Sequence, residues 1–115
     1  MRIFLPWPPK ELQPNSGGHY AKKFKAIKKY REDCQICAMA LVRKRTFTGN
    51  IPTMIIFHPP DERHRDLDNA LASVKRGLDG VCIALGINDK HLRPITLDWG
   101  QVKRGGEIEI RLEEL

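Results

Sequence analysis

Apolar and polar positions along the chain fall into two periods. From about Tyr20 to Lys44 there is no Pro or Gly, and Phe24, Ile27, Cys34, Ala38 and Leu41 recur at steps of three, four and seven residues, the spacing of one helix face. A second helix starts at Asp68 or Asn69, both good N-caps. It carries an apolar stripe of Leu71, Val74, Leu78, Cys82 and Leu85, is weakened by Gly77 and Gly80, and stops at Gly86. Elsewhere the period is two, or the run is short and apolar. Residues 1–5 read as a short strand stopped by Pro6 and Pro8-Pro9. Met54-Ile55-Ile56-Phe57 reads as a buried strand ending at Pro59-Pro60. Ile95, Leu97 and Trp99 alternate with polar residues, and Gly100 shifts the phase toward Val102, which predicts a bulge. Ile108, Ile110 and Leu112 alternate with Glu107, Glu109 and Arg111. The turn Lys103-Arg104-Gly105-Gly106 then predicts a C-terminal hairpin. Pro14, Asn15, Ser16, Gly17 and Gly18 mark a loop, Thr48-Gly49-Asn50 a turn, residues 61–65 a charged loop and residues 87–93 a polar connection.

The order strand, helix, strand, helix, strand, strand predicts a single α+β domain over residues 1–115, a small mixed sheet with two helices. A chain of 115 residues buries roughly 65% of its unfolded surface, enough for one core. No apolar run approaches the ~18 residues of a membrane span. The opening apolar stretch is too short, and too rich in proline, for a signal peptide. The expectation is a cytoplasmic protein with no membrane partner.

Charge adds a partner to this picture. Residues 1–45 hold eleven Lys and Arg against three acids, whereas residues 46–115 hold nine against eleven. The basic half points to a polyanion. Its core is His19, Lys22, Lys23, Lys25, Lys28, Lys29 and Arg31, with no acid between residues 12 and 31. Spread around a helix, these make a broad positive surface suited to phosphates rather than to base edges. Arg63, His64 and Arg65 bring further positive charge close to the acidic pair described next. Cys34, Cys37 and Cys82 are an odd number, and Cys34-x-x-Cys37 has no second ligand pair to complete a zinc site. They read as free thiols filling a core.

The sharpest local feature is Arg65-Asp66-Leu67-Asp68-Asn69. Two carboxylates two residues apart on extended backbone point the same way. Such a pair suits a hard cation that takes one or two carboxylates plus substrate phosphate. It suits equally well a cap on the positive end of the following helix. Asp89 is the preferred third acid, because Asp79 lies about three turns, or ~16 Å, from Asp68. Lys75, two turns past Asp68, leans back toward the carboxylates and supplies charge for a phosphate or a leaving oxyanion.

Taken together, these stretches resemble the RusA family of Holliday junction resolvases. The resemblance rests on Leu5-Pro6-Trp7-Pro8-Pro9, on Arg65-Asp66-Leu67-Asp68-Asn69 after an arginine-containing loop, on Asn88-Asp89, and on the closing strands around Gly105-Gly106. It runs over nearly the whole chain. It implies a RusA-like fold and a homodimeric endodeoxyribonuclease that binds four-way junction DNA and nicks two strands symmetrically. It implies Mg²⁺, with Mn²⁺ as a substitute, held by Asp66, Asp68 and Asp89. The family's catalytic lysine carries over onto Lys75, three residues beyond Ala72, where the family's interval falls; Lys90 is the competing source of that charge. Arg63, Arg65, Asn69, Lys22, Lys23, Lys25, Lys28 and Lys29 are the expected DNA contacts. Rival readings are a non-catalytic DNA-binding module, a metal-dependent nuclease for other branched nucleic acids, and, last, a zinc or redox protein built on Cys34 and Cys37.

Overall fold

The elements form in the expected order in the computed structural model, which describes residues 1–14, 16–41, 47 and 49–113. They are β1 (Arg2–Pro6), α1 (Tyr20–Met39), β2 (Ile51–His58), α2 (Leu67–Leu85), β3 (Leu92–Trp99) and β4 (Glu107–Leu112). Single 3₁₀ turns occupy Lys10–Leu12 and Asp89–His91, stretches the sequence marks as loop. Asn15 of the expected loop, the expected extension of α1 over residues 42–44 and Thr48 of the expected turn lie outside the described residues.

One mixed sheet runs β1-β4-β2-β3. β4 is antiparallel to both β1 and β2, and β3 is parallel to β2. The expected C-terminal hairpin therefore does not form. α2 returns the chain so that β3 enters beside β2 in the same direction, as a strand–helix–strand unit does. The following segment then crosses the end of β2: Gly100 N–H donates to Phe57 O and Lys103 N–H to Pro59 O. Gly105 and Gly106 do turn the chain, at φ of 81° and 75°, but they deliver β4 into the gap between β2 and β1. The expected bulge at Gly100 is also displaced. The irregularity lies at the other end of β3, where Ile51 faces Leu92 but Thr53 faces Ile95, which leaves one extra residue at Arg93-Pro94.

Register explains the core. Ile3, Ile110 and Ile55 form one row across three strands, and Leu5, Ile108 and Phe57 form the next. All six are fully buried or nearly so, each contributing about 1.5–3 kcal/mol by leaving water. The helices cover this face. On α1 the buried positions are Tyr30, Cys34 and Ala38. Phe24 and Leu41, expected to face inward, are 57% and 43% exposed. Tyr30 takes the inner place because its hydroxyl donates to Pro6 O at 2.7 Å, tying α1 to the end of β1.

On α2 the buried side is wider than one stripe. It includes Ala70, Ser73, Gly77 and Gly80 as well as Val74, Leu78, Val81 and Cys82. The two glycines are not weak points but the place where the helices meet. A Cβ on Gly77 would press on Tyr30 and Cys34, and one on Gly80 would land on the Arg31 carbonyl oxygen. The opposite face of the sheet carries Phe4, Glu109 and Ile56 in one row. Glu109, expected to face solvent, is only 7% exposed. Arg2, Arg111 and His58 gather over its carboxylate, and a side chain so enclosed needs such partners.

Candidate functional site

α2 begins at Leu67, with Asp66 in extended backbone at φ −94° and ψ 139° immediately before it. The Asp66 carbonyl accepts the first helical bond from Ala70 N–H, but its carboxylate makes no capping bond. It faces His64 Nε2 instead, at 3.2 Å. Asp68 Oδ1 accepts the N–H of Asn69 at 2.9 Å. Both carboxylates are exposed. Capping thus leaves the Asp66 carboxylate unused.

The first turns of α2 separate two hollows. One, of about 430 Å³, is lined by Trp7, Lys10, Arg63, His64, Asp66 and Asn69. The other, of about 470 Å³, is lined by Ala72, Lys75, Arg76, Asp79 and Asp89, with Ile95 of β3 among its apolar residues. Asp68 heads the helix row Ala72, Lys75 and Asp79 that walls the second hollow. Lys75 and Asp89 share a hollow, and Lys90 is not among its lining residues. Asp89 does not join Asp66 and Asp68: no three His, Cys, Asp or Glu side chains among the described residues stand together as a metal-holding group. Asp66 and Asp68 remain as two exposed carboxylates at the head of α2, oxygen donors of the kind a hard cation takes.

Arg65, expected as a DNA contact, lines the first hollow while its guanidinium is engaged within the chain. Its Nη1 donates to Asp61 O and Arg63 O, each at 3.1 Å. Its Nη2 lies 2.8 Å from Asp61 Oδ1, with the side chain only 19% exposed. Its guanidinium also sits over the Trp7 ring, 5.7 Å from the centroid. The fork is spent on the loop that carries Asp66. Asp61 is held below the usual carboxylate range, first by the Arg63 N–H and then by the Arg65 and Arg63 side chains. Trp7 is in turn backed by Gly106, where a Cβ would lie 2.7 Å from the indole's own Cβ.

The remaining expected contacts divide. Arg63 and Asn69 line the first hollow. Lys22 and Lys23 line a third hollow, near Gly17 and His19. Lys25 and Lys28 are exposed along α1. Lys29 is neutralised by Asp33 at 2.7 Å. Sequence reasoning missed Lys10, Trp7 and Gln13, all on the first hollow. Pro6 and Pro8-Pro9 around Trp7, just ahead of Lys10, signalled a turn, and an aromatic and a lysine held on such a turn were the cue.

The fold and site define a small α+β domain with two exposed carboxylates set among cation-lined hollows. An uncharacterized protein of Xylella fastidiosa (strain Temecula1) is 32% identical over 117 residues, covering 96% of this chain and 74% of its own length. The chain belongs to the same family as that protein. No protein-family model matches the chain. Among the described residues no helix is long and apolar enough to cross a membrane.

Proposed function

We propose that the protein is a Mg²⁺-dependent, structure-selective endodeoxyribonuclease that resolves four-way DNA junctions as a homodimer in the cytoplasm. The observation that carries this reading is the placement of Asp66 on a hollow lined by Lys10, Arg63 and Asn69, with Asp68 exposed two residues further on and Lys75 in the hollow on the other side of α2. Arg63 and Lys10 attract and seat a phosphate, and Asn69 offers it an amide donor. Asp66 and Asp68 would hold Mg²⁺, or Mn²⁺ in its place. When bound, the ion supplies polarisation of the phosphodiester and a more acidic water. Lys75, which lines the neighbouring hollow with Asp89, supplies positive charge for an oxygen that becomes negative on that side of α2. Two copies related by a two-fold axis present two such sites to a junction of similar symmetry. The three cysteines, all free, accord with a reducing compartment.

The missing three-acid group among the described residues favours one other reading, a junction-binding module without catalysis. A synthetic four-way junction and a matched linear duplex, each with and without Mg²⁺, separate the two. Paired nicks on the junction alone, lost in Asp68→Asn while binding persists, support the nuclease. Retention without cleavage at any Mg²⁺ concentration leaves the binding module.

A further inference from the structure

We propose that the first and third hollows form one cationic track joined at Lys10, and that the DNA strand seated at Asp66 continues along it to His19, Lys22 and Lys23. The proposal rests on the nucleic-acid reading above and adds the path of the strand. Lys10 lines the hollow that holds Arg63 and Asp66, and it also lines the hollow of about 350 Å³ that holds Gly17, His19, Lys22 and Lys23. Its place on the ridge is set by the chain on either side. Pro8 and Pro9 fix the entry, and Leu12, 8% exposed, plugs the one-turn 3₁₀ helix into the core. Lys10 itself is left exposed.

Charge favours a linear polyanion. Among the described residues Lys10, Lys22 and Lys23 have no ion-pair partner, whereas Lys29, Arg76, Lys103 and Arg111 are each paired to an acid. Two acids, Glu11 and Asp66, line the joined hollows, fewer than the lysines alone. A single free phosphate or nucleotide would fill one hollow and leave the other's cations unmet. A strand with phosphates in series meets both. Lysine suits the task, because it binds phosphate as a point charge and reads no base.

The test is the salt dependence of junction binding, read as the slope of log Kd against log salt. Each lost phosphate contact on duplex arms flattens the slope by about 0.9. Lys10→Ala should flatten it by about one unit and the Lys22→Ala, Lys23→Ala pair by about two. A junction with one neutral methylphosphonate, moved stepwise away from the nick, gives the second arm. Wild-type affinity should fall at a position where Lys10→Ala shows no further loss. An unchanged slope in Lys10→Ala, with flattening in a Lys25→Ala, Lys28→Ala pair, would place the strand along the outer face of α1 and overturn the track while cleavage and the nuclease reading stand. Wild-type protein that neither binds nor cuts DNA would overturn both.

Discussion

Replacing Arg65 with Lys keeps a positive charge beside Asp66 and removes the planar fork. If Arg65 holds the loop, the two carbonyl bonds contribute about 1 kcal/mol each and the ring contact about 0.5–1 kcal/mol. The exposed Asp61 carboxylate adds little through solvent. Arg65→Ala should then cost about 2–3 kcal/mol. For a domain of this size a kilocalorie shifts Tm by about 4 °C, so the drop is about 8–12 °C. Arg65→Lys should fall almost as far, since an ammonium cannot satisfy two carbonyls and an indole face at once. Thermal melts followed by circular dichroism give Tm, and junction titrations at several salt concentrations give the slope, which should stay near wild type in both variants. A Lys variant with wild-type Tm, together with an Ala variant whose slope flattens by about one unit, would show that Arg65 is a plain phosphate contact and refute the clamp.

Gly80→Ala should destabilise the protein by about 1–3 kcal/mol despite its better helix propensity, because the new methyl meets backbone of α1 that has no rotamer to yield; a urea melt shows it. For Glu109, burial pushes the carboxyl up, but Arg111, Arg2 and His58 outweigh it and hold it below the ordinary glutamate value. Its stabilisation is therefore complete above that value and lost as pH falls through the lower folded one. Glu109→Gln should flatten stability against pH in that acid window, measured by urea melts from pH 6 downward, in steps of about one unit. Cys34 is pushed up to about 12 and Cys82 to about 11, each chiefly by burial, so a thiol reagent at neutral pH should label the half-buried Cys37 first and the other two only after unfolding. Lys75→Ala should slow single-turnover cleavage on the order of 10²–10³-fold with little change in affinity, and Lys90→Ala should not; the reverse result would move the catalytic charge to the loop after α2.

Local pattern and global pairing were not equally legible. The helices and strands follow from apolar spacing, because each needs one face buried whatever it packs against. Strand order does not. The alternation of Ile108, Ile110 and Leu112 fits a hairpin with β3 as well as a place between β1 and β2, and the Gly105-Gly106 turn fits both. Glu109 was hidden for the same reason: its burial depends on Arg2 and His58, brought from β1 and β2 by that pairing. At the site, the extended Asp66 ahead of α2 and the helix row running from Asp68 to Lys75 could be read from local geometry, whereas the hollow that Lys75 shares with Asp89 depends on where the loop after α2 packs. The fate of Arg65 could not, since its partners include Trp7, 58 positions earlier in the chain. Gly77 and Gly80 look like flaws in α2 until α1 lies against them.

The position of β4 in the sheet has a consequence for how the chain is made. Its neighbours are β1 and β2, both of which leave the ribosome well before residues 107–112 exist. Until then β1 has no strand to pair with, and β2 is open on one side. The rows built on Ile108 and Ile110 are likewise unfilled. A chain lacking residues 107–112 can form its helices and the β2–β3 pair, but it cannot close the domain, so folding waits on β4. During that wait two apolar strand edges face the same gap, which a strand from a neighbouring nascent chain would fit as well as β4 does. A break ahead of residue 107 should therefore give aggregates rather than a smaller folded protein.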